Sequence, residues 1–151
     1  MDVVTMEQRR AKFAYERVRE VKGSDKETLE KYNSYVKSAP VLILTNGLGQ
    51  TLAFYLSKLE KLSESTEGTN HKRITPEDEP SGEKRAYAYL YKHISEWLAQ
   101  TVTNGQDPLV YYTRSNNLET IRMTEEAIAF LNWLKRFAEA MLKKEKTEGG
   151  S

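Results

Sequence analysis

Two closely spaced glycines, Gly47 and Gly49 in the stretch NGLGQ, are the strongest hint of chemistry in this sequence. An apolar run at 41–44 precedes them, and a strand, a glycine turn and a helix in that order would cradle phosphate. The dinucleotide fingerprint needs a third glycine or alanine where Leu52 stands, and a phosphate-binding loop needs lysine where Gln50 stands. The pattern therefore argues against a nucleotide site.

Other residue types that could support catalysis or bind a metal are few. There is no cysteine, so thiolate ligands and cysteine nucleophiles are excluded. The two histidines, His71 and His93, have no acidic or histidine partner at metal-ligand spacing, and we expect them to be solvated or structural. No serine occupies a nucleophile elbow. The sequence thus predicts no catalytic apparatus, no metal site and no cofactor.

Cations are the remaining candidates for chemistry, because lysine and arginine can contact the phosphates of a nucleic acid. If the first and last helices pack together, the basic residues of the two could form one stripe. The predicted phosphate contacts are Arg9, Arg10, Lys12, Lys58, Arg122, Lys135 and Arg136. Asn46 and Gln50 are weaker polar candidates beside the glycines.

Tyrosines supply a second signal, since the chain has nine of them. Tyr87, Tyr89 and Tyr91 alternate along one predicted helix, which places phenol groups on more than one face, and Tyr111 and Tyr112 add another pair. Two interpretations are open. Some of these side chains lie at an interface with a partner, or all of them lie at the edge of the core.

Helices must position these residues, because apolar side chains recur at steps of three and four along most of the chain. The predicted helices cover 5–22, a second segment that starts at Ser24 or Asp25 and ends at 37, then 41–59, 83–103, 108–112 and a last segment that begins near Thr124. Thr5 is the predicted N-cap of the first helix, and Ser24 with Glu27 forms a predicted capping box for the second. A hydrophobic staple between Met123 and Ile128 supports the Thr124 cap of the last.

The third helix is predicted to run unbroken through the glycines, with Pro40 at its head. Its apolar stripe keeps one helical phase and consists of Val41, Leu44, Leu48, Leu52, Tyr55 and Leu59. Glycines inside a helix have two open explanations, close packing against another helix or a bare backbone edge that a partner approaches.

The segment at 63–82 contains Pro76 and Pro80 and has no apolar periodicity, so it predicts a long exposed loop with an acidic tip at 77–79. Residues 145–151 are a predicted flexible tail. No segment predicts a strand. The sequence therefore predicts an all-α fold, one domain over 1–151 with a compact bundle of five to six helices.

Composition limits the class of protein. Hydrophobic residues make up 38% and charged residues 30%, as in folded soluble proteins. The 23 lysines and arginines nearly balance 22 aspartates and glutamates, so a basic surface must come from arrangement rather than from net charge. No signal peptide and no apolar run of about 20 residues is present, which predicts a cytoplasmic protein without a membrane partner.

Two segments are similar to the signature regions of a known family. SAPVLILTNGLGQTLAFYLSK at 38–58 and TEEAIAFLNWLKRFAEA at 124–140 resemble those of the small helical subunit of the Cmr complex, the type III-B CRISPR effector that silences invading RNA. QRRAKFAYERV at 8–18 resembles the opening helix of that family. The order, the spacing and the total length of the segments also fit.

The resemblance implies a compact helical protein without nuclease activity. It implies several copies stacked head to tail, with other effector subunits as neighbours, along the guide RNA and the target RNA. Phosphate contacts would hold the RNA without reading its sequence, because base pairing does the recognition. The rival hypothesis is a helical spacer that contacts only other subunits.

Overall fold

The computed structural model describes residues 3–64 and 72–142. Six α-helices run over Met6–Lys22 (α1), Lys26–Asn46 (α2), Leu48–Ser57 (α3), Gly82–Thr101 (α4), Pro108–Arg114 (α5) and Asn117–Met141 (α6) within those residues. The all-α prediction is confirmed. His71 and the predicted tail at 145–151 lie outside the described residues.

Helix α4 is the centre of the fold and packs against all five other helices. Each residue from Ala86 to Tyr91 is buried, because neighbours cover the helix on every side. Tyr87, Tyr89 and Tyr91 are therefore core residues, and the interpretation that some of them face a partner is wrong. Helix α1 packs mainly on α6, and α2 packs on both α4 and α6.

The predicted boundary between the second and third helices is wrong in two ways. Helix α2 continues past Lys37 and carries Pro40 in its interior, although proline removes a backbone hydrogen bond there. Pro40 is buried beside Ala39 and Ile43, and this burial offsets the loss.

The break comes instead at Gly47, whose φ of 86° and ψ of 157° suit glycine alone. The helix before Gly47 rules out the strand that a phosphate cradle requires. Because the break resets the helical phase, the predicted stripe divides into an exposed part, with Leu44 73% accessible, and a buried part that includes Leu48 and Leu52. Val41 is exposed as well, which the unbroken stripe did not predict.

The surroundings of Gly49 show whether it serves close packing inside the fold or a bare backbone edge for a partner. A Cβ atom there would overlap Cε1 of the Tyr112 ring, so a larger residue would require that ring on α5 to move away from α3. Gly49 is a packing glycine inside the fold.

The caps explain the other differences in helix bounds. Thr5 caps α1 as predicted, but Asp25 rather than Ser24 caps α2, accepting from the backbone N–H of Thr28. Helix α6 begins seven residues before Thr124, because Asn116 and Glu119 form a capping box there. The staple and the Thr124 cap are therefore wrong.

The predicted loop at 63–82 contains short ordered pieces. Leu62–Glu64 (β1) and Lys72–Ile74 (β2) form a two-stranded antiparallel ladder in which Leu62 pairs with Ile74. A single 3-10 turn follows at Pro76–Asp78. Glu79, predicted to lie in an exposed acidic tip, is buried because its carboxylate accepts the backbone N–H groups of Glu60 and Lys61 at 2.9 Å.

Candidate nucleic-acid interface

Two of the predicted cations share a groove between α1 and α4. Arg9 and Lys12 are one helical turn apart on α1, and both are exposed. They line a groove of about 410 Å³ together with Phe13, Trp97 and Gln100. Phe13 and Trp97 make its floor aromatic. Its rim carries the two positive charges and one carboxylate, Glu16, which partly offsets them. This groove can accept an anionic group at its rim.

Arg10, although adjacent in sequence, is committed to a bond inside the protein. Its Nε and Nη2 atoms donate to the two carboxylate oxygens of Glu126 on α6 at 2.6 and 2.9 Å. The Trp97 indole N–H donates to the same carboxylate at 3.0 Å, and Glu7 accepts from Nη1 of Arg10 at 2.9 Å. The hydrogen bond to Glu126 is the main cause of the raised pKa of Arg10. Arg10 links α1 to α6 through Glu126, and because these bonds occupy its guanidinium, it is not free to contact a phosphate.

The cations of α6 point in different directions. Lys135 is half-buried and Arg136 is exposed, and consecutive helical residues project about 100° apart. Arg122 is exposed near the start of the helix. Helices α1 and α6 do pack together, and their contact includes the ion pair of Arg10 with Glu126, which removes Arg10 from any basic stripe.

The remaining predicted residues are Asn46 and Gln50, at the joint between α2 and α3, and Lys58, at the far end of α3. Asn46 and Gln50 line a groove of about 330 Å³ with Leu42, Thr51 and Phe54. Lys58 lies at the end of the same helix face, with Nζ 5.1 Å from the centroid of the Phe54 ring. The structure therefore brings Asn46 and Gln50 into one groove, with Lys58 beside the Phe54 ring that lines it.

Phe54 and Gln100 are site residues that the sequence reasoning missed. A usable signal was present for Phe54, since Gln50, Phe54 and Lys58 recur at intervals of four residues and so share one face of a helix. Gln100 gave no local signal, because its position depends on how α1 packs across α4.

His93 belongs to a buried polar cluster and has a structural role. Its Nδ1 atom lies 2.7 Å from the Tyr32 hydroxyl, and its Nε2 atom lies 3.8 Å from Oε1 of Glu20, an ion-pair distance rather than a hydrogen bond. Burial lowers the pKa of His93. The interaction with His93, followed by that with Lys92, holds the pKa of Glu20 at about 2 although burial opposes it.

This cluster predicts a loss of stability in acid. His93 has a lowered pKa in the folded state, so its contribution is present above the unfolded value near 6.5 and falls as the pH drops below it. Glu20 contributes fully above its unfolded pKa of 4.5, and its contribution is lost as the pH falls toward 2. We expect urea unfolding at a series of pH values to show both windows.

The variant Glu20→Gln tests whether Glu20 causes the loss of stability between pH 4.5 and 2. We expect its unfolding free energy to depend less on pH between 4.5 and 2 than that of the wild type. Equal pH dependence of the two proteins in that window would contradict the assignment.

Across 3–64 and 72–142, no group of three or more histidine and carboxylate side chains is placed to hold a metal ion. In the same part of the chain, no helix combines the length and the apolar character that crossing a membrane requires.

The comparisons with known proteins agree with the resemblance of the signature segments. A family model described as CRISPR-associated protein (Cas_Cmr5) matches residues 6–141. A relative from Thermus thermophilus, named CRISPR system Cmr subunit Cmr5, is 29% identical over 133 residues, which cover 87% of this chain and 91% of the relative. This chain therefore belongs to the Cmr5 family of CRISPR-associated proteins.

Proposed function

We propose that this chain is a non-catalytic small subunit of a type III-B Cmr ribonucleoprotein in the cytoplasm. Several copies stack along the guide RNA and the target RNA, and exposed cations contact phosphates. The observation that carries the RNA contact is the pair Arg9 and Lys12 at the rim of one groove, in a member of the Cmr5 family.

The geometry ranks the predicted phosphate contacts. Arg9 and Lys12 come first because they are exposed, adjacent on one helix face and free to follow a backbone. Arg122 and Arg136 follow as exposed cations on α6, and the half-buried Lys135 is a weaker candidate. Arg10 is left out because Glu126 already neutralises it.

These contacts would hold RNA without reading its sequence. Lysine and arginine bonds to phosphate oxygens fix register and orientation but carry no base information. A complex that recognises its target through a paired guide needs only such shape and backbone contacts from its small subunit.

Exposed apolar residues support contacts between neighbouring copies. Val41 and Leu44 lie on one side of the buried stripe of α2, and Leu118 and Ile121 lie one turn apart at the start of α6. Head-to-tail stacking needs two different patches that complement each other, and these two pairs are candidates. The same pairs favour the second candidate function, a spacer that touches only protein, as does the net charge of +1.

Replacing the two groove cations tests the RNA contact. In the assembled complex, we expect Arg9→Gln/Lys12→Gln to weaken binding of single-stranded RNA and to reduce the slope of log affinity against log salt. Each lost phosphate contact changes that slope by about 0.7, so the double variant should change it by roughly 1.4 for each copy bound.

The matched control is Lys31→Gln/Lys37→Gln, which removes the same charge from exposed positions on α2. We expect this variant to keep the affinity and the salt slope of the wild type. An unchanged slope for Arg9→Gln/Lys12→Gln, in complexes that still assemble, would favour the protein spacer.

A further inference from the structure

The groove at the α2–α3 joint has a composition that phosphate binding alone does not explain. Its walls carry two amide side chains, Asn46 and Gln50, and an aromatic ring, Phe54, that is 43% exposed. Lys58 is the nearest cation on the same helix face. An aromatic platform, amides and a flanking cation together match a nucleotide, with its base, base edge and phosphate.

We propose that the α2–α3 groove, defined by Leu42, Asn46, Gln50, Thr51 and Phe54, binds the base of an unpaired RNA nucleotide. The base stacks on Phe54, the two amides bond to its edge, and Lys58 takes the adjoining phosphate. This proposal rests on the proposed RNA contact and names the part of the RNA that the second groove holds.

The ring of Phe54 is held in place before any ligand arrives. It lies 5.9 Å from the Tyr87 ring at an interplanar angle of 89°, and Tyr87 is itself stacked on Tyr35 at 4.0 Å. Phe54 is thus the exposed end of a packed aromatic cluster, and binding would not have to order it. The Lys58 ammonium lies on a flexible stem and can move from the ring to a phosphate.

The amide side chains of Asn46 and Gln50 line the same groove, before and after the Gly47 joint. The Gly47 carbonyl accepts from both the backbone N–H and the hydroxyl of Thr51, at 3.2 and 2.9 Å, which closes the first turn of α3. Across the described residues, the side-chain amides of Asn46 and Gln50 have no hydrogen-bond partner. Each amide offers donors and an acceptor, the pattern that base edges require.

Protein is the less suitable occupant of this groove. The strongly exposed apolar residues of α2, Val41 and Leu44, lie on the other side of its buried stripe from Leu42 and Asn46. A protein partner attracted by apolar surface would meet that side first. The groove side offers polar groups and a cation instead, which complement a nucleotide.

The test compares two RNA oligomers of equal length and charge, a single-stranded oligouridine and the same backbone without bases, on the full chain. We expect the wild type to bind oligouridine more tightly than the abasic oligomer. Phe54→Leu should weaken oligouridine binding by about 5- to 150-fold, the range that one stacked base gives, and leave the abasic oligomer unchanged. Asn46→Ala/Gln50→Ala, at exposed positions, should act in the same direction.

The controls separate this proposal from the proposed function. Thr45→Ala changes an exposed residue of α2 outside the groove and should leave both affinities unchanged. Equal wild-type affinity for the two oligomers, or no detectable binding of either, would overturn the base site, while the salt slope of Arg9→Gln/Lys12→Gln in the complex decides the phosphate contact independently. Loss of assembly with both RNA affinities intact in Phe54→Leu would also overturn it and assign the groove to a protein partner.

Discussion

Replacing Leu52 by alanine is expected to lower the free energy of unfolding by about 2–5 kcal/mol, the usual cost of a large-to-small change in a core. Leu52 is fully buried on α3 and belongs to the single hydrophobic cluster that the helices share. Truncating it leaves a cavity, because neighbouring side chains relax only partly. Urea unfolding followed by far-UV circular dichroism measures the change.

The matched control is Leu44→Ala, the same substitution two turns earlier in the same predicted stripe. Leu44 is 73% exposed, so we expect the unfolding free energy to change by less than about 0.5 kcal/mol. A similar loss of stability in both variants would mean that one continuous stripe faces the core and that Gly47 does not reset the helical phase.

The second large effect is expected at Glu126, whose carboxylate accepts from both Arg10 and Trp97. The side chains of Arg10 and Glu126 are only 17% and 13% exposed. Glu126→Ala removes the acceptor of the indole N–H and of Nε and Nη2 of Arg10 in a partly buried place, and only Nη1 keeps its acceptor, Glu7. Breaking a buried ion pair from one side costs about 3–5 kcal/mol, and we expect a value near the lower end because some water can reach the site.

Glu125→Ala is the control, since Glu125 is the preceding carboxylate on the same helix and is exposed. We expect it to change the unfolding free energy by no more than about 0.5 kcal/mol. The double variant Arg10→Met/Glu126→Met tests the mechanism, because apolar replacement of both partners should recover much of the lost stability. Equal stability of Glu126→Ala and Glu125→Ala would show that the ion pair contributes nothing.

Local patterns explain how much of the fold the sequence could predict. Ala127, Leu131 and Leu134 recur at helical spacing on α6 and are buried as their spacing requires. Thr5 caps α1 because a hydroxyl beside the first turn satisfies an N–H that the helix leaves open, a rule that needs no tertiary information.

The wrong boundaries arise where tertiary packing outweighs local preference. Pro40 has a strong tendency to begin a helix, yet it lies inside α2 because Ala39, Pro40 and Ile43 form part of the core surface of that helix. Gly47 could either continue a helix at a modest cost or break it, and the choice depends on how α3 packs against α4 and α5. Neither the place of Pro40 inside α2 nor the break at Gly47 can be predicted from the neighbouring residues in the sequence alone.

The candidate site, too, could be predicted only in part from local patterns. The basic residues of α1 could be found from the sequence, but the separation of Arg10 from Arg9 and Lys12 could not. Their different surroundings follow from Glu126, which is distant in sequence and reaches Arg10 only when α6 packs on α1. The position of Tyr89 was equally ambiguous, because only the central place of α4 in the fold buries every residue from Ala86 to Tyr91.

The contact between α1 and α6 also sets the order in which this chain can fold during synthesis. Arg10 and Glu126 are 116 residues apart, so at about 5–20 residues per second the ribosome makes the partner of α1 roughly 6–23 s after α1 itself. The apolar face of α1, with Ala14, Val18 and Val21, has little else to pack on in the meantime. Helix α1 is therefore made well before its main packing partner and is among the last of these helices to reach its final place, which gives a chaperone time to bind it.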